Sequence, residues 1–169
     1  MIGVGKPFPH DTLPGALTGL IDEFYTADKA LEWVVIFFYP KDWTFICPTE
    51  ISAFQKLEEL EGVNVYGISP DNEYSHLAWL ESNELLKSVT FPLLADSGNK
   101  LAKELEIVSN ENVPYRATYI VNPGGMIEHL SINALDTGRN VDEIIRTYKA
   151  LEAGGLTGCE WKEGDGFVA

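Results

Sequence analysis

The most constraining feature of the sequence is an apolar, aromatic run at residues 33–39, Trp-Val-Val-Ile-Phe-Phe-Tyr. Its length and composition are those of a fully buried strand rather than of a helix. Pro40 ends this strand, because proline has no N–H to donate to a ladder. A helical pattern begins at about residue 49, just after Cys47 and Pro48, and proline is tolerated in a first helical turn. The sequence therefore predicts that Cys47 lies at a helix N-terminus that follows a buried strand.

This setting makes Cys47 a candidate catalytic residue. The positive end of a helix dipole stabilises a thiolate, whereas an ordinary thiol has a pKa of about 8.5 and is mostly protonated at neutral pH. The alternative is that Cys47 is a small buried hydrophobic residue, which is the usual role of a lone cysteine. The residues by themselves leave both interpretations open.

The order of the remaining patterns predicts an α/β fold. Strand–helix–strand–helix, followed by a hairpin and a last helix, is a three-layer plan whose sheet is mixed, parallel at the helical crossovers and antiparallel at the hairpin. The thioredoxin-like fold matches this order. Residues 1–20 are predicted to be irregular apart from a short strand or hairpin, and 26–32 to be a turn. Helices are predicted at 50–61 and 71–87, with a short helix from 97, and strands at 63–68, 115–121 and 126–132. Asn140 and Glu143 resemble a capping box that begins a last helix, which stops at Gly154.

Charge and composition exclude several classes of function. The net charge of −14 argues against binding to nucleic acid and to anionic membranes, which need basic patches. No run approaches the length of about 18 apolar residues that a membrane span needs, and the N-terminus lacks the apolar region of a secretory signal. The two cysteines form neither a CxxC motif nor a metal-binding cluster. A cytoplasmic protein with reactive rather than structural thiols is expected.

Pro40, Thr44 and Cys47 follow the spacing Pro-x-x-x-Thr-x-x-Cys within the string FFYPKDWTFICPTE. This string resembles the active site of the peroxiredoxins, and in particular of the typical 2-Cys branch, which includes the peroxidase subunit of alkyl hydroperoxide reductase. The resemblance implies a thioredoxin-like fold, with a mixed central sheet flanked by helices on both faces, and a thiol peroxidase that uses no cofactor or metal. Other segments resemble the family in the same order, at 75–79, 91–96, 115–121 and 138–143.

The resemblance also implies roles around the cysteine. Cys47 would attack one oxygen of a hydroperoxide and become a sulfenic acid. Thr44 would hold the peroxide and bond the sulfur, and Pro40 would shield the thiolate from water. The alternatives are that Thr44 is a helix-cap or turn hydroxyl and that Pro40 only ends the strand.

Charged residues are the remaining candidates at this site. Arg116 begins an apolar strand, where a guanidinium cannot be buried unpaired without a large cost, so a thiolate or carboxylate partner is expected. It matches the family arginine that lowers the pKa of the cysteine, and Glu50 is assigned to orienting it. The alternatives are a surface arginine on an edge strand and a carboxylate that compensates the helix dipole. Arg139 either joins this charge network or lies on the surface, and His76 with Trp79 is interpreted as structural.

Cys159 is the candidate resolving cysteine. It follows the glycines at 154 and 155, and the string Trp-Lys-Glu-Gly after it resembles the family's C-terminal tail. We expect a peroxidase domain at 1–153 and a flexible tail at 154–169. The sequence departs from the family's Val-Cys-Pro and has a shorter gap before Trp161, so an incidental exposed cysteine is the alternative.

The resemblance further implies hydroperoxide substrates and an electron donor that is a thioredoxin-like protein or a flavoprotein disulfide reductase. A homodimer that assembles into a decamer is implied in the same way. Three other functions stay open: a 1-Cys peroxidase in which Cys159 does not resolve, a disulfide reductase, and a non-catalytic holdase or scaffold. The missing CxxC motif argues against the disulfide reductase.

Overall fold

The computed structural model of the protein describes residues 1–26 and 32–169, which form seven β-strands and four α-helices. The residues separate into two units, Met1–Arg139 and Asn140–Ala169. The strands are β1 (Thr12–Leu17), β2 (Leu20–Tyr25), β3 (Trp33–Phe38), β4 (Val63–Ser69), β5 (Leu93–Ala95), β6 (Arg116–Val121) and β7 (Ile127–Asn133). The helices are α1 (Cys47–Glu58), α2 (Glu73–Ser82), α3 (Lys100–Glu104) and α4 (Val141–Ala153), with short 3-10 turns at Glu84–Leu86 and Ser97–Asn99.

The strands form one sheet in the order β2-β1-β5-β4-β3-β6-β7. The neighbours β3–β4 and β4–β5 are parallel, and the crossovers between them contain α1 and α2. The pairs β1–β2, β1–β5, β3–β6 and β6–β7 are antiparallel. The predicted mixed sheet, with a hairpin formed by β6 and β7, is confirmed.

The central strand β3 is buried as the sequence predicts, because every side chain from Val34 to Tyr39 is at most 4% exposed. Phe37 of β3 stacks on Phe54 of α1, with ring centroids 3.9 Å apart and an interplanar angle of 3°. The ring of Phe91 meets the ring of Phe37 edge-on, with the ring centroids 5.8 Å apart. Aromatic pairs in such geometries stabilise a core beyond the burial of their area. They fix α1, and with it Cys47, against the middle of the sheet.

Two helices have different bounds from those predicted. Helix α1 begins at Cys47, because Pro48 fits its first turn, and it ends at Glu58, well before Gly62. Gly62 has a φ of 80° and lies in the turn before β4, not at the helix end. Helix α2 is shorter than 71–87, since Asn72 and Asn83 bound it; Asn72 accepts a hydrogen bond from the backbone N–H of Ser75.

Strand β5 has no periodic pattern in the sequence. β5 has only three residues, all buried, so no alternation marks it. β1 and β2 form a regular hairpin, which begins within the region 1–20 where a short strand or hairpin is predicted and extends beyond it to Tyr25. The predicted turn at 26–32 lies outside the described residues, apart from its two ends. Among the described helices, none has the length and apolar character needed to cross a membrane.

The second unit joins α4 to the C-terminal residues. Asn140 accepts a hydrogen bond from the N–H of Glu143, and Gly154 ends the helix with a φ of 74°, both as predicted. Trp161 is buried at 5% exposure, and its carbonyl accepts a hydrogen bond of 2.8 Å from Arg146. Within this unit these contacts connect the C-terminal residues with α4. The division into a peroxidase domain at 1–153 and a flexible tail at 154–169 stays a prediction.

Candidate active site

Cys47 lies where the sequence predicts, as the first residue of α1 after the loop 40–46 that leaves β3. Its side chain is 0% exposed, and Pro48 occupies the first helical turn. Cys47 thus lies at the positive end of the α1 dipole, where Pro48 has no N–H and the N–H of Thr49 donates to the carbonyl of Ile46 at 3.1 Å.

Arg116 is the charged group next to the sulfur. Strand β6 runs antiparallel to β3 with Thr118 opposite Phe37, so the beginning of β6 lies beside the end of β3. The Nη1 of Arg116 is 3.4 Å from the Sγ of Cys47 and 2.7 Å from the Oε1 of Glu50. The side chain is 4% exposed. The arginine is therefore buried and paired with both groups that the sequence allowed, a thiol and a carboxylate.

Electrostatics at Arg116 favour its charged form. Burial acts to lower the pKa of the guanidinium, but the hydrogen bonds and charges of Cys47 and Glu50 outweigh it, and the pKa is raised from its ordinary value. The Nε of the same side chain donates to the carbonyl of Leu135 at 2.7 Å. Because three acceptors hold the guanidinium in one orientation, a fixed positive charge faces the sulfur.

Glu50 is the carboxylate that connects this site. Its Oε1 accepts from Arg116 and, at 3.0 Å, from Nη2 of Arg139; its Oε2 accepts from the Nε and backbone N–H of Arg139 at 2.7 and 2.9 Å. Burial alone would raise the pKa of this carboxyl, but the bonds and charge of Arg139, with the charge of Arg116, lower it. Glu50 therefore favours its ionised form between two cations, and its role in orienting Arg116 stays a prediction.

Arg139 is a site residue that the sequence left between two interpretations. Its side chain is 2% exposed. Besides Glu50, its Nη1 donates to the carbonyl of Ala117 at 2.9 Å, and the guanidinium lies 5.2 and 5.5 Å from the ring centroids of Phe37 and Phe54. Burial lowers its pKa, and Glu50 opposes that change. The surface interpretation of Arg139 is wrong, and it belongs to the buried charge network.

Pro40, Thr44 and Arg116 line one pocket of about 290 Å³, together with Lys41, Glu111, Val113, Leu135 and Asp136. The Thr44 hydroxyl donates a hydrogen bond of 2.8 Å to the carbonyl of Lys41. Within the described part of the chain, that bond goes to the loop backbone and not to the sulfur. The Thr44 hydroxyl therefore makes the bond that its alternative role as a turn residue predicts. Its role in holding peroxide stays a prediction.

Cys159 lies in the second unit and is exposed. It lines a pocket of about 510 Å³ with Arg146 and Glu160. Arg146 pairs with both carboxylate oxygens of Glu143 at 2.7 Å, and this pairing is the main cause of its raised pKa. Both thiols of the protein are free.

Over residues 1–26 and 32–169, no group of three His, Cys, Asp or Glu side chains is arranged to hold a metal ion.

A comparison with known proteins identifies the family of the chain. The model of the AhpC/TSA family matches residues 4–130. The chain belongs to this family. The predicted membership of the peroxiredoxins, and with it the predicted enzyme class, is confirmed.

Relatives in this family match nearly the whole chain. Alkyl hydroperoxide reductase C of Mycobacterium tuberculosis is 41% identical over 180 residues, which cover 98% of this chain and 92% of that protein. Peroxiredoxin-2 of Rattus norvegicus is 36% identical over 176 residues, which cover 98% and 89%.

Solved structures of the family have the same fold. The structure of Mycobacterium tuberculosis AhpC matches with a TM-score of 0.82 and 32% identity, over 90% of this chain and 99% of that one. A reduced 2-Cys peroxiredoxin of Plasmodium vivax matches with a TM-score of 0.87 and 28% identity, over 98% and 92%. The predicted thioredoxin-like fold is thereby confirmed.

Replacing Glu50 by glutamine tests the buried charge network. Removing one partner of a buried ion pair costs about 3–5 kcal/mol, so we expect the free energy of unfolding at about pH 7 to fall by that amount in Glu50→Gln. Because the folded pKa of Glu50 is lowered from 4.5, its ionised form stabilises the fold above that value, and this stabilisation is lost as the pH falls through the folded pKa. The difference in the free energy of unfolding between the wild type and Glu50→Gln, measured by urea unfolding, should therefore become smaller as the pH is lowered.

The control for this experiment is Glu143→Gln, which removes a carboxylate that pairs with an arginine but is 55% exposed. Exposed pairs contribute about 0–1 kcal/mol, so this variant should unfold almost like the wild type. The stabilising role of the charge network would be contradicted if both variants lowered the free energy of unfolding equally. It would also be contradicted if the loss in Glu50→Gln did not depend on pH.

Proposed function

We propose that the protein reduces hydrogen peroxide and organic hydroperoxides through the thiolate of Cys47. The observation that carries this proposal is the position of Arg116 Nη1, 3.4 Å from the sulfur in a buried site. A fixed guanidinium beside a cysteine at a helix N-terminus favours the thiolate, which is the nucleophilic form of the side chain. The names of the relatives, alkyl hydroperoxide reductase C and peroxiredoxin, support the same substrate class.

The reaction needs only the residues of this site. The Cys47 thiolate attacks the terminal oxygen of the hydroperoxide, so an S–O bond forms while the O–O bond breaks. The other oxygen leaves with the electron pair of that bond and takes a proton to become an alcohol or water. Cys47 is oxidised to a sulfenic acid as the peroxide is reduced. The guanidinium of Arg116 stabilises the negative charge that moves from sulfur to oxygen.

Pro40 and Thr44 complete the proposed site. Both line the pocket that Arg116 also lines, so a small hydroperoxide in this pocket lies beside the guanidinium. We assign Thr44 to holding the peroxide through its hydroxyl oxygen and Pro40 to keeping bulk water from the sulfur. Glu50 holds Arg116 in its orientation.

Peroxide consumption by the purified protein with a small dithiol as reductant tests the function. Wild type should consume hydrogen peroxide, and Cys47→Ser should show only the rate of the buffer, because a hydroxyl at this position is not ionised. Cys159→Ser is the matched control, because it keeps Cys47. The thiol of Cys47 should still react with one equivalent of peroxide in this variant. Equal consumption by wild type and Cys47→Ser would rule out the proposed site, and none by either would favour a holdase.

We propose that Cys159 of a partner subunit resolves the sulfenic acid. Its thiolate attacks the sulfenic sulfur, an S–S bond forms, the S–O bond breaks, and the oxygen leaves as water after protonation. Cys159 is exposed and free, as an attacking thiol must be. Cys47 is fully buried, and a disulfide requires Cα atoms within about 7 Å, so the Cys47 segment must open before the bond forms.

One equivalent of peroxide should convert the protein into a disulfide-linked dimer on a non-reducing gel. The dimer should be absent in Cys47→Ser and in Cys159→Ser, and the latter should over-oxidise to the sulfinic acid, detected by mass spectrometry. A disulfide that migrates as a monomer would contradict the intersubunit bond. Normal turnover of Cys159→Ser with a dithiol protein as reductant would identify a 1-Cys peroxidase.

We further propose a homodimer that assembles into a decamer. Trp43 and Phe45 flank the cysteine loop and are 58% and 94% exposed, and large apolar side chains presented in this way are typical of protein contacts. A thioredoxin-like protein or a flavoprotein disulfide reductase is the proposed electron donor, since either can reduce a disulfide. A cytoplasmic location stays a prediction.

A further inference from the structure

The loop 40–46 carries Pro40 and Thr44 and leads directly into Cys47, so its conformation determines the shape of the pocket. Its buried residue is Asp42, at 2% exposure, whereas Trp43 and Phe45 point outward. A buried carboxylate is costly unless it is paired and hydrogen-bonded. The reaction proposed above gives Asp42 no part.

Asp42 is held by four polar contacts. The hydroxyl of Tyr39 donates to its Oδ1 at 2.7 Å, its Oδ2 lies 2.7 Å from Nδ1 of His76, and the Ser75 hydroxyl donates to the same oxygen at 3.0 Å. Its backbone N–H donates to Oδ2 of Asp71 at 2.7 Å. We call Tyr39, Asp42, Asp71, Ser75 and His76 the Asp42 cluster. The loop is thereby tied to the end of β3, to the segment after β4, and to α2.

The geometry places a proton between His76 and Asp42. Nε2 of His76 lies 2.9 Å from the carbonyl of Leu94, which can only accept, so this nitrogen carries a hydrogen. Nδ1 faces a carboxylate oxygen, and two lone pairs at 2.7 Å would repel each other. One of the two groups therefore supplies a second hydrogen, and the pair is neutral as a whole. Both side chains are 0% exposed, so no water screens this bond.

The next residue of the loop is strained. Trp43 has a φ of 61°, a left-handed conformation that is rare for a bulky residue and persists only where the surroundings hold it. Its Nε1 donates to the Ser75 hydroxyl at 3.1 Å, and that hydroxyl in turn donates to Asp42. The strained residue is thus fixed by the Asp42 cluster.

We propose that Asp42 and His76 are positioning residues for the peroxide reaction, and this inference rests on the function proposed above. Their bond holds the loop 40–46 in the one conformation in which Pro40 and Thr44 face the guanidinium beside Cys47. When the bond is lost, the loop relaxes from its strained conformation. The closed form that reacts with peroxide is then less populated, and the open form that forms the disulfide is more populated.

Two substitutions at Asp42 separate positioning from simple stability. Asp42→Ala removes every contact of the carboxylate. Asp42→Asn keeps the bonds to Tyr39 and His76, because the amide oxygen accepts from Tyr39 and the amide N–H donates to Nδ1 of a neutral His76. At Ser75 the direction of the bond reverses, since the amide nitrogen donates to the hydroxyl oxygen. The pair of residues 42 and 76 is neutral as a whole in this variant, as it is in the wild type.

The measurement is the rate of Cys47 oxidation by hydrogen peroxide, followed by quenched mass spectrometry, together with the sulfinic fraction at excess peroxide. A misplacement of about 1 Å costs on the order of 10²-fold in rate, so we expect a loss of that order in Asp42→Ala. Its sulfinic fraction should fall, because the disulfide forms sooner relative to a second oxidation. Asp42→Asn should stay within about 3-fold of the wild type, as preserved hydrogen bonds predict.

Tyr39→Phe and Tyr74→Phe form a matched pair that decides the question if Asp42→Ala does not fold. Tyr39 is buried and bonds Asp42, while Tyr74 lies on α2 and is 68% exposed. The first should slow Cys47 oxidation and lower the sulfinic fraction, and the second should do neither. Wild-type rates in folded Asp42→Ala, or in Tyr39→Phe, would overturn the inference. Absence of Cys47 oxidation in the wild type would instead overturn the proposed function.

Discussion

The ion pairs of Glu50 with Arg116 and Arg139 are the interaction on which the active site depends. A carboxylate and two guanidiniums are buried together, and each would be costly to bury alone. Each oxygen of Glu50 accepts two hydrogen bonds, so the cost of removing the charge from water is offset within the network. Since Glu50 lies in the first turn of α1, these bonds also fix the helix turn that begins with Cys47.

The strand order explains how the network forms. β6 is the antiparallel neighbour of β3, so its first residue, Arg116, lies beside the end of the strand from which the cysteine loop leaves. A parallel neighbour would place its beginning at the opposite end of the sheet. Arg139 reaches the same carboxylate from the segment after β7, and its guanidinium lies near the rings of Phe37 and Phe54 that fix α1 on β3. The core and the site therefore share side chains.

The parts of this arrangement that could be predicted are those with a local signal. A buried strand, a proline stop and a proline in a first helical turn locate Cys47, and an arginine within an apolar strand requires a partner. Arg139 and Asp42 could not be assigned in this way, because most of their partners are distant in the sequence and polar residues beside loops are usually exposed. The bond of Thr44 to Lys41 depends on the loop conformation, and the three residues of β5 are too few to show a period.

The central proposal is that the guanidinium of Arg116 favours the thiolate form of Cys47. The direct measurement is the ultraviolet absorbance of the thiolate at about pH 7, where an ordinary thiol is mostly protonated. It should be made in Cys159→Ser protein so that Cys47 is the thiol observed. We predict a clear thiolate signal that Arg116→Lys largely keeps, because the positive charge remains, and that Arg116→Met loses. Equal thiolate signals in Arg116→Met and in the parent protein would contradict the account.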